Sequence, residues 1–405
     1  MGVRIRLGVM MFLQYAIWGA WAPVLSAYLE RNLGFSGFQV GVIYSLLPLA
    51  TIIAPFIGGQ IADRYLSSEK FIAFLQLAGG ALLIWISTVS DYRTLMWMML
   101  IYCLLYAPTL ALTNSVAFIN LKNSEKEFGY IRVWGTIGWI AAGLFLAGWR
   151  NLAGAGGSMA MKGDTLLLAG GFSVLMGLFS FALPHTPPQK EGTKPWAFLE
   201  ALKMLKNKNF LIFIIISFVV ATELMFYYIL TAPFLTSDKI GVSSANVSGV
   251  MVIAQVAEIF VLAILLPYLI TKIGIRKILV IGVLSWPARY IIFAIGRPSW
   301  LVIASLALHG FCFVFFFAAA FIYVDTVSPR DIRHSSQSLI TLVTYGIGNY
   351  LGSLFAGSVK DFFTSASGTN WTGVFLVPCV LTILCALAFL FFFKEEKPHP
   401  ASGQA

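Results

Sequence analysis

The sequence predicts an all-α integral membrane protein, in which twelve transmembrane helices form two six-helix bundles in a pseudo-twofold arrangement. Three observations predict this fold: the composition, the number of long apolar segments and a weak internal repeat. Of the 405 residues, 59% are hydrophobic and only 11% are charged, whereas soluble domains are about 45–50% apolar and about 25% charged. The excess apolar surface has to face lipid, so soluble enzymes, nucleic-acid-binding domains and secreted disulfide scaffolds are poor fits.

The long apolar segments define the spans. A helix needs about 20 apolar residues to cross a bilayer, and twelve segments of this kind can be drawn. They are too long, and too continuously apolar, for the alternating strands of a β-barrel. The predicted spans cover residues 8–29, 38–62, 70–90, 94–118, 130–149, 164–184, 210–236, 245–270, 277–296, 299–325, 335–358 and 371–393.

Lysine and arginine are distributed unevenly between the two predicted sides of the membrane. The side that holds both termini carries 18 of the 27 basic residues, the other side carries 7, and Arg132 and Arg289 fall inside spans. Because cytoplasmic loops are enriched in lysine and arginine, we expect both termini to be cytoplasmic. The net charge of +10 is thereby explained by topology, and no nucleic-acid partner is expected.

The longest predicted cytoplasmic connection separates six spans from six spans. It contains an amphipathic stretch, Trp196–Lys206, which is predicted to lie on the membrane surface. The predicted organisation is an N-terminal bundle over residues 1–184, a linker over 185–209, a C-terminal bundle over 210–393 and a cytoplasmic tail over 394–405.

An internal repeat relates the two halves. A shift of 207 residues brings Leu33–Ser36 onto Ile240–Ser243, and in both halves the second span ends in a short basic turn. Parallel six-span repeats, related by an axis along the membrane normal, are typical of transporters that rock two bundles against each other.

Away from the span ends, five ionisable side chains stand out, namely Arg132, Glu223, Glu258, Arg289 and His309. Such groups are costly in a membrane and usually functional. A carboxylate that lacks a partner there can bind and release a proton in the working pH range, so Glu258 or Glu223 is a candidate for proton coupling.

Helical spacing groups these residues with other polar and aromatic side chains. Arg132, Thr136 and Trp139 share one helix face, and Gln255 and Glu258 share another. Donors, acceptors and an aromatic ring in such stripes suit a flat, polar, uncharged solute. The alternative is that the polar groups bond to one another as structural contacts between helices.

The end of the second span carries a specific motif. Gly59–Arg64, with the sequence GQIADR, resembles the first half of the signature that follows the second span in the major facilitator superfamily. The resemblance implies a gating role for Asp63 and Arg64; the alternative is an ordinary solvated turn.

A narrower resemblance covers nearly the whole chain. The strings FLQYAIWGAW at Phe12–Trp21 and IRVWGTIG at Ile131–Gly138 resemble the nucleoside:proton symporter family of bacterial permeases. So do Tyr106–Asn114, Leu183–Pro187 and, in the second half, the Gln255-x-x-Glu258 and Trp286-x-x-Arg289 pairs.

This resemblance implies a substrate site between the two halves. The family's ligand contacts correspond to Arg132, Thr136, Gln255, Glu258 and Phe313, and Trp139 stands where the family has another aromatic residue. Four positions depart from the family pattern. Met225 and Tyr228 replace a glutamine and an asparagine, and His309 and Val314 replace a tyrosine and an aspartate.

Together these observations predict a monomeric secondary active transporter of the bacterial inner membrane. It is expected to import a small polar solute, with nucleosides as the leading candidates, by proton symport and without a cofactor. The alternatives are a proton-coupled permease for a sugar or another metabolite, and a multidrug-type efflux transporter. An enzyme is not expected, because catalytic motifs are absent from suitable positions and the four cysteines lack metal-ligand spacing.

Overall fold

The computed structural model is almost entirely helical. It describes residues 2–64, 66–153, 163–187, 196 and 198–394, and the side chains of these residues other than 55–64 and 124–126. Within this part of the chain, ten helical stretches are long and apolar enough to cross a membrane, and Asp164–Ser180 is a shorter apolar helix.

The longest stretch, Val247–Ile295, has 49 residues, more than twice the length that one span needs. It is divided at Gly274, whose φ of 80° and ψ of 161° are not helical. A positive φ is readily adopted only by glycine, so this residue makes the turn between the eighth and ninth spans. With the stretch counted as two, the helices of the described residues correspond to the twelve predicted spans, and the prediction of an all-α membrane fold is confirmed.

Helices follow one another along the described residues with short connections between them. The α-helices are α1 (Val3–Trp21), α2 (Leu25–Arg31), α3 (Gly37–Arg64), α4 (Ser68–Ile86), α5 (Tyr92–Asn120), α6 (Ser124–Leu152), α7 (Asp164–Ser180), α8 (Phe198–Ala201), α9 (Lys208–Leu235), α10 (Val247–Phe260), α11 (Leu266–Ile295), α12 (Ser299–Ala304), α13 (Leu308–Cys312), α14 (Ala319–Val327), α15 (Arg333–Thr341), α16 (Asn349–Phe362) and α17 (Trp371–Phe392). Short 3₁₀ turns cover Leu202–Lys206, Ser305–Ala307 and Arg330–Ile332, and π-helical turns cover Val261–Leu265, Phe313–Ala318 and Leu342–Gly348. A two-residue antiparallel pair joins β1 (Thr364–Ser365) to β2 (Gly368–Thr369).

Several helices begin after a residue whose side chain accepts hydrogen bonds from the first backbone N–H groups of the helix. Asp91 accepts a hydrogen bond from the N–H of Thr94 at the start of α5, and Asn207 accepts from the N–H groups of Asn209 and Phe210 at the start of α9. Asp and Asn are preferred at this position because the first four N–H groups of a helix have no partner within it. These residues fix where the loops end and the spans begin.

Each half of the chain packs as a bundle. In the first half, α1 packs against α6 and α7, while α5 packs against α3 and α4. In the second half, α9 packs against α16 and α17, and α11 packs against α17.

The most extensive packing between the two bundles is along two helix pairs, α3 with α16 and α6 with α10. These pairs are equivalent under the internal repeat, since α3 and α10 belong to the second span of each half and α6 and α16 to the fifth. Glycine allows the close approach of α3 to α16: a Cβ on Gly37 would lie 2.6 Å from the carbonyl oxygen of Gly357. The interface therefore has the pseudo-twofold arrangement that the repeat predicts.

Polar contacts between the bundles gather at the face of the molecule where α2 ends, which we call the distal face. The pairs are Glu30 with Lys360, Arg31 with Thr236, Arg150 with Ser244, Asn151 with Asn246, and Asp361 with the N–H groups of Gly37 and Phe38. They hold the two bundles together at that face.

The connection between the bundles is attached at both ends. The N–H of Thr186 donates to Glu69 at the start of α4, at 3.0 Å. Farther along, α8 packs against α15, and Ser336 donates to the sulfur of Met204 at 3.0 Å. The described part of the predicted amphipathic stretch is thus a short helix and a 3₁₀ turn that contact the C-terminal bundle, with Trp196 exposed.

Candidate functional site

A cavity of about 460 Å³ lies between the two bundles, within the range typical of small-molecule sites. From the first half it is lined by Tyr15, Trp18, Trp21, Ala22, Tyr44, Leu47, Pro48, Thr51, Leu110, Ala111, Asn114, Arg132, Gly135, Thr136 and Trp139. From the second half it is lined by Leu224, Met225, Tyr228, Gln255, Glu258, Phe313, Phe321, Thr341, Tyr345 and Asn349.

The wall from the N-terminal bundle depends on close packing of α1 against α6. A Cβ on Gly19 would lie 2.7 Å from the Cα of Trp139, and one on Gly135 would lie 2.6 Å from the ring of Tyr15. Because both positions lack a side chain, Tyr15 and Trp139 approach each other's helix closely. The result is an aromatic surface that carries one charged group, Arg132.

The planar guanidinium of Arg132 packs against this aromatic surface. The guanidinium carbon lies 3.9 Å from the centre of the Tyr15 ring, a cation–π arrangement. Among the described residues, Arg132 forms no ion pair, although Glu258 lines the same cavity. The N–H groups of Arg132 are therefore available to a solute.

The wall from the C-terminal bundle carries the carboxylate of Glu258 and the amide of Gln255. Gln255 and Glu258 project from the last two turns of α10. A π-helical turn, Val261–Leu265, follows α10, and another, Phe313–Ala318, follows α13. A third π-helical turn, Leu342–Gly348, contains Tyr345. π-Helical turns occur frequently at functional sites, and here two of the three contain a residue that lines the cavity.

Aromatic rings from the two bundles approach each other across the cavity. The Trp139 and Tyr228 ring centres are 6.3 Å apart, and Trp18 contacts Trp139 edge to face at 5.4 Å. Ring pairs in this distance range are mutually stabilising. A planar solute that entered between Trp139 and Tyr228 would contact both bundles at once.

Eight of the nine side chains predicted to bind the solute line this cavity. They are Arg132, Thr136, Trp139, Met225, Tyr228, Gln255, Glu258 and Phe313. His309 lies behind the wall: it is fully buried and its ring stacks against Tyr227 with centres 4.3 Å apart.

The two candidate proton-coupling carboxylates occupy different environments. Glu258 lines the cavity. Glu223 is fully buried, its Oε2 has no hydrogen-bond partner among the described residues, and its backbone carbonyl accepts a hydrogen bond from the hydroxyl of Tyr290. The side chains of the predicted gating residues, Asp63 and Arg64, lie outside the described residues.

Sequence reasoning missed several residues of the lining. Tyr15, Asn114, Tyr345 and Asn349 are the clearest cases. Tyr15 and Asn114 stand within the strings that resemble the symporter family, and this was the available signal for them. Tyr345 and Asn349 lie in a glycine-rich span, where nothing local distinguishes a cavity face from a packing face.

The arrangement is suited to holding a planar, polar solute. It offers the guanidinium of Arg132 as donor, the carboxylate of Glu258 as acceptor, the amide of Gln255 as both, and rings on two sides. The described residues contain no group of three or more His, Cys, Asp or Glu side chains that could hold a metal ion.

Comparison with known proteins agrees with this geometry. The family described as "Nucleoside H+ symporter" matches residues 1–398. YegT of Escherichia coli (strain K12) is 36% identical, with 96% of this chain and 94% of YegT covered. The nucleoside permease NupG of the same organism is 30% identical, with 100% of this chain and 99% of NupG covered.

The same relationship is seen in three dimensions. The crystal structure of the nucleoside transporter NupG superposes with a TM-score of 0.86 at 28% identity, over 98% of this chain and 100% of that one. The twelve spans and two bundles are therefore those of a major facilitator superfamily transporter. On the match along almost its full length, the chain belongs to the nucleoside H+ symporter family.

Proposed function

We propose that this protein imports nucleosides together with protons, by alternating access of the cavity between its two bundles. The observation that carries the proposal is the composition of the cavity wall, where Arg132 and Thr136 face Gln255 and Glu258 from the opposite bundle. Membership of the nucleoside H+ symporter family supports the same function.

In the proposed binding mode, the aromatic rings hold the nucleobase and the polar groups orient it. Trp139 and Phe313, with Tyr228 opposite Trp139, provide faces on which a planar base can stack. The guanidinium of Arg132 and the amide of Gln255 donate to base or sugar oxygens. Met225 supplies an apolar contact that excludes water.

Glu258 is the proposed proton carrier, since it faces the cavity where solute and water can reach it. Proton binding would neutralise the carboxylate before the bundles rock, which lowers the cost of closing the cavity around it. Glu223 is the alternative carrier, because it is a buried carboxylate with an unpartnered oxygen among the described residues.

We propose that residues 1–184 and 210–393 are the two rocking units, that 185–209 is the cytoplasmic linker and that 394–405 is the tail. Both termini would lie on the cytoplasmic side of a bacterial inner membrane. A single chain would be sufficient for transport. Asp63 and Arg64 would act as the gate at the end of the second span.

Uptake into proteoliposomes tests the function. Purified protein is reconstituted, and labelled uridine or adenosine is supplied with or without an inward proton gradient, with protein-free liposomes as the control. We expect accumulation that requires the gradient and disappears when a protonophore is added. Uptake of a labelled sugar without uptake of either nucleoside would contradict the substrate assignment, and uptake that ignores the gradient would contradict proton coupling.

A further inference from the structure

A second buried polar cluster lies in the C-terminal bundle behind the cavity wall. It is formed by Arg289 on α11, His309 on α13 and Tyr227 on α9, and we call it the Arg289 cluster. All three side chains are fully buried, and none of them lines the cavity. Solute binding in the cavity does not by itself explain why a charged side chain is kept in this position.

The guanidinium of Arg289 has no acidic partner within ion-pair distance among the described residues. It lies instead over the rings of Trp286 and Tyr227, at 4.6 Å and 4.7 Å from their centres. Its Nη1 is 3.2 Å from Nδ1 of His309. The charge is therefore stabilised by ring faces and by one nitrogen acceptor.

This contact fixes the state of the histidine. Arginine is permanently charged and can only donate, so Nδ1 of His309 has to be the acceptor. A neutral imidazole that accepts at Nδ1 carries its proton on Nε2. Arg289 thus selects one tautomer of His309 and one orientation of its ring.

His309 in turn contacts the two aromatic residues that form this part of the cavity wall. Its ring stacks on Phe313, with centres 5.7 Å apart and planes inclined by 27°, and meets Tyr228 edge-on at 6.3 Å. Both of those residues line the cavity. The imidazole of His309 therefore lies between the guanidinium of Arg289 and the two cavity-lining rings.

We propose that Arg289 is a positioning residue for solute binding. It acts through His309 to hold the rings of Tyr228 and Phe313 in the orientation that receives a planar base. This inference rests on the proposed nucleoside transport, and it deepens that proposal by naming a determinant of affinity that never touches the solute.

The experiment is a double-variant cycle on purified protein in proteoliposomes. The variants Arg289→Met, His309→Ala and the two combined are compared with the unmodified protein for labelled uridine and adenosine. We measure KM and Vmax per folded molecule, together with the equilibrium Kd from binding in detergent. Thr382→Val is the matched control, because Thr382 is buried in the same bundle and bonds only within its own helix.

We expect each single variant to raise KM and Kd about tenfold, the scale of one lost base-stacking contact, with Vmax changed less than about twofold. The combined variant should be no worse than His309→Ala alone, because Arg289 acts through that residue. Thr382→Val should leave KM unchanged.

Two results would overturn the inference. One is an unchanged KM in Arg289→Met with only a loss of folded protein or of Vmax, as expected for a purely structural anchor. The other is a combined variant in which the two KM effects multiply.

If Arg289→Met does not fold, Arg289→Lys takes its place in the cycle, because the ammonium keeps the charge but loses the planar contact with the rings. If the unmodified protein transports neither nucleoside, the proposed function fails and this inference fails with it. If the unmodified protein transports them and the KM of the variants is unchanged, only this inference fails.

Discussion

Lys360 Nζ lies 2.9 Å from Glu30 Oε2, and this ion pair joins the two bundles at the distal face. Each side chain is only 11% exposed. Next to it, the carboxylate of Asp361 accepts hydrogen bonds from the N–H groups of Gly37 and Phe38, at 2.6 Å and 2.8 Å, at the start of α3. One end of α16 is therefore held to the opposite bundle by two adjacent charged side chains.

This ion pair predicts that removing Lys360 alone lowers stability more than replacing both partners. Lys360→Met should leave the carboxylate of Glu30 buried without its partner and destabilise the protein by about 3–5 kcal/mol, whereas pairing it with Glu30→Gln should restore most of that loss. Thermal unfolding in detergent measures both. A Lys360→Met variant as stable as the unmodified protein would show that the pair contributes nothing, and equal losses in the two variants would show that the unpaired carboxylate of Glu30 carries no penalty.

The close packing of α1 on α6 predicts a position-specific glycine effect. Gly19→Ala should push α1 away from Trp139, lower stability by about 1–3 kcal/mol and weaken nucleoside binding. Gly148→Ala is the matched control in α6, because a Cβ there would meet nothing within 4 Å. Thermal unfolding and Kd are measured for both variants. Equal behaviour of the two would mean that the tight contact at Gly19 is not needed.

The planar contact between Arg132 and Tyr15 predicts that lysine cannot replace Arg132. Arg132→Lys keeps the charge but loses the flat group and the paired donors, so we expect KM for uridine to rise roughly tenfold or more. The exposed Arg93 provides the control, since Arg93→Lys should leave KM unchanged. Uptake kinetics in proteoliposomes distinguish the two, and a normal KM in Arg132→Lys would remove this residue from the binding mode.

The different surroundings of the two carboxylates predict different transport defects. Glu258→Gln should abolish gradient-driven accumulation while preserving exchange of labelled for unlabelled uridine, because the variant mimics the permanently protonated state. Glu223→Gln should retain accumulation, since that side chain does not line the cavity. The reverse pattern would make Glu223 the proton carrier.

Much of the architecture could be predicted from local properties of the chain. Span number follows from the lengths of apolar runs, and the break at Gly274 falls in the gap between the predicted spans 245–270 and 277–296. The structure differs in detail: the first span is two helices, Val3–Trp21 and Leu25–Arg31, and the sixth is the short helix Asp164–Ser180. Such boundaries depend on packing and capping contacts, which hydropathy does not encode.

At the site, the order of residues along the chain already shows which polar and ionisable side chains stand within apolar helices, and which of them share a face. That is how Arg132 with Thr136, and Gln255 with Glu258, could be grouped in advance. Helix packing in three dimensions is what places Glu258 in the cavity wall and encloses Glu223 in the C-terminal bundle, and it also puts His309 behind Tyr228 with Arg289. Most faces of a helix in a membrane bundle are apolar, so hydropathy identifies the span but not its orientation. Which face meets the opposite bundle depends on contacts between residues that are far apart in the chain.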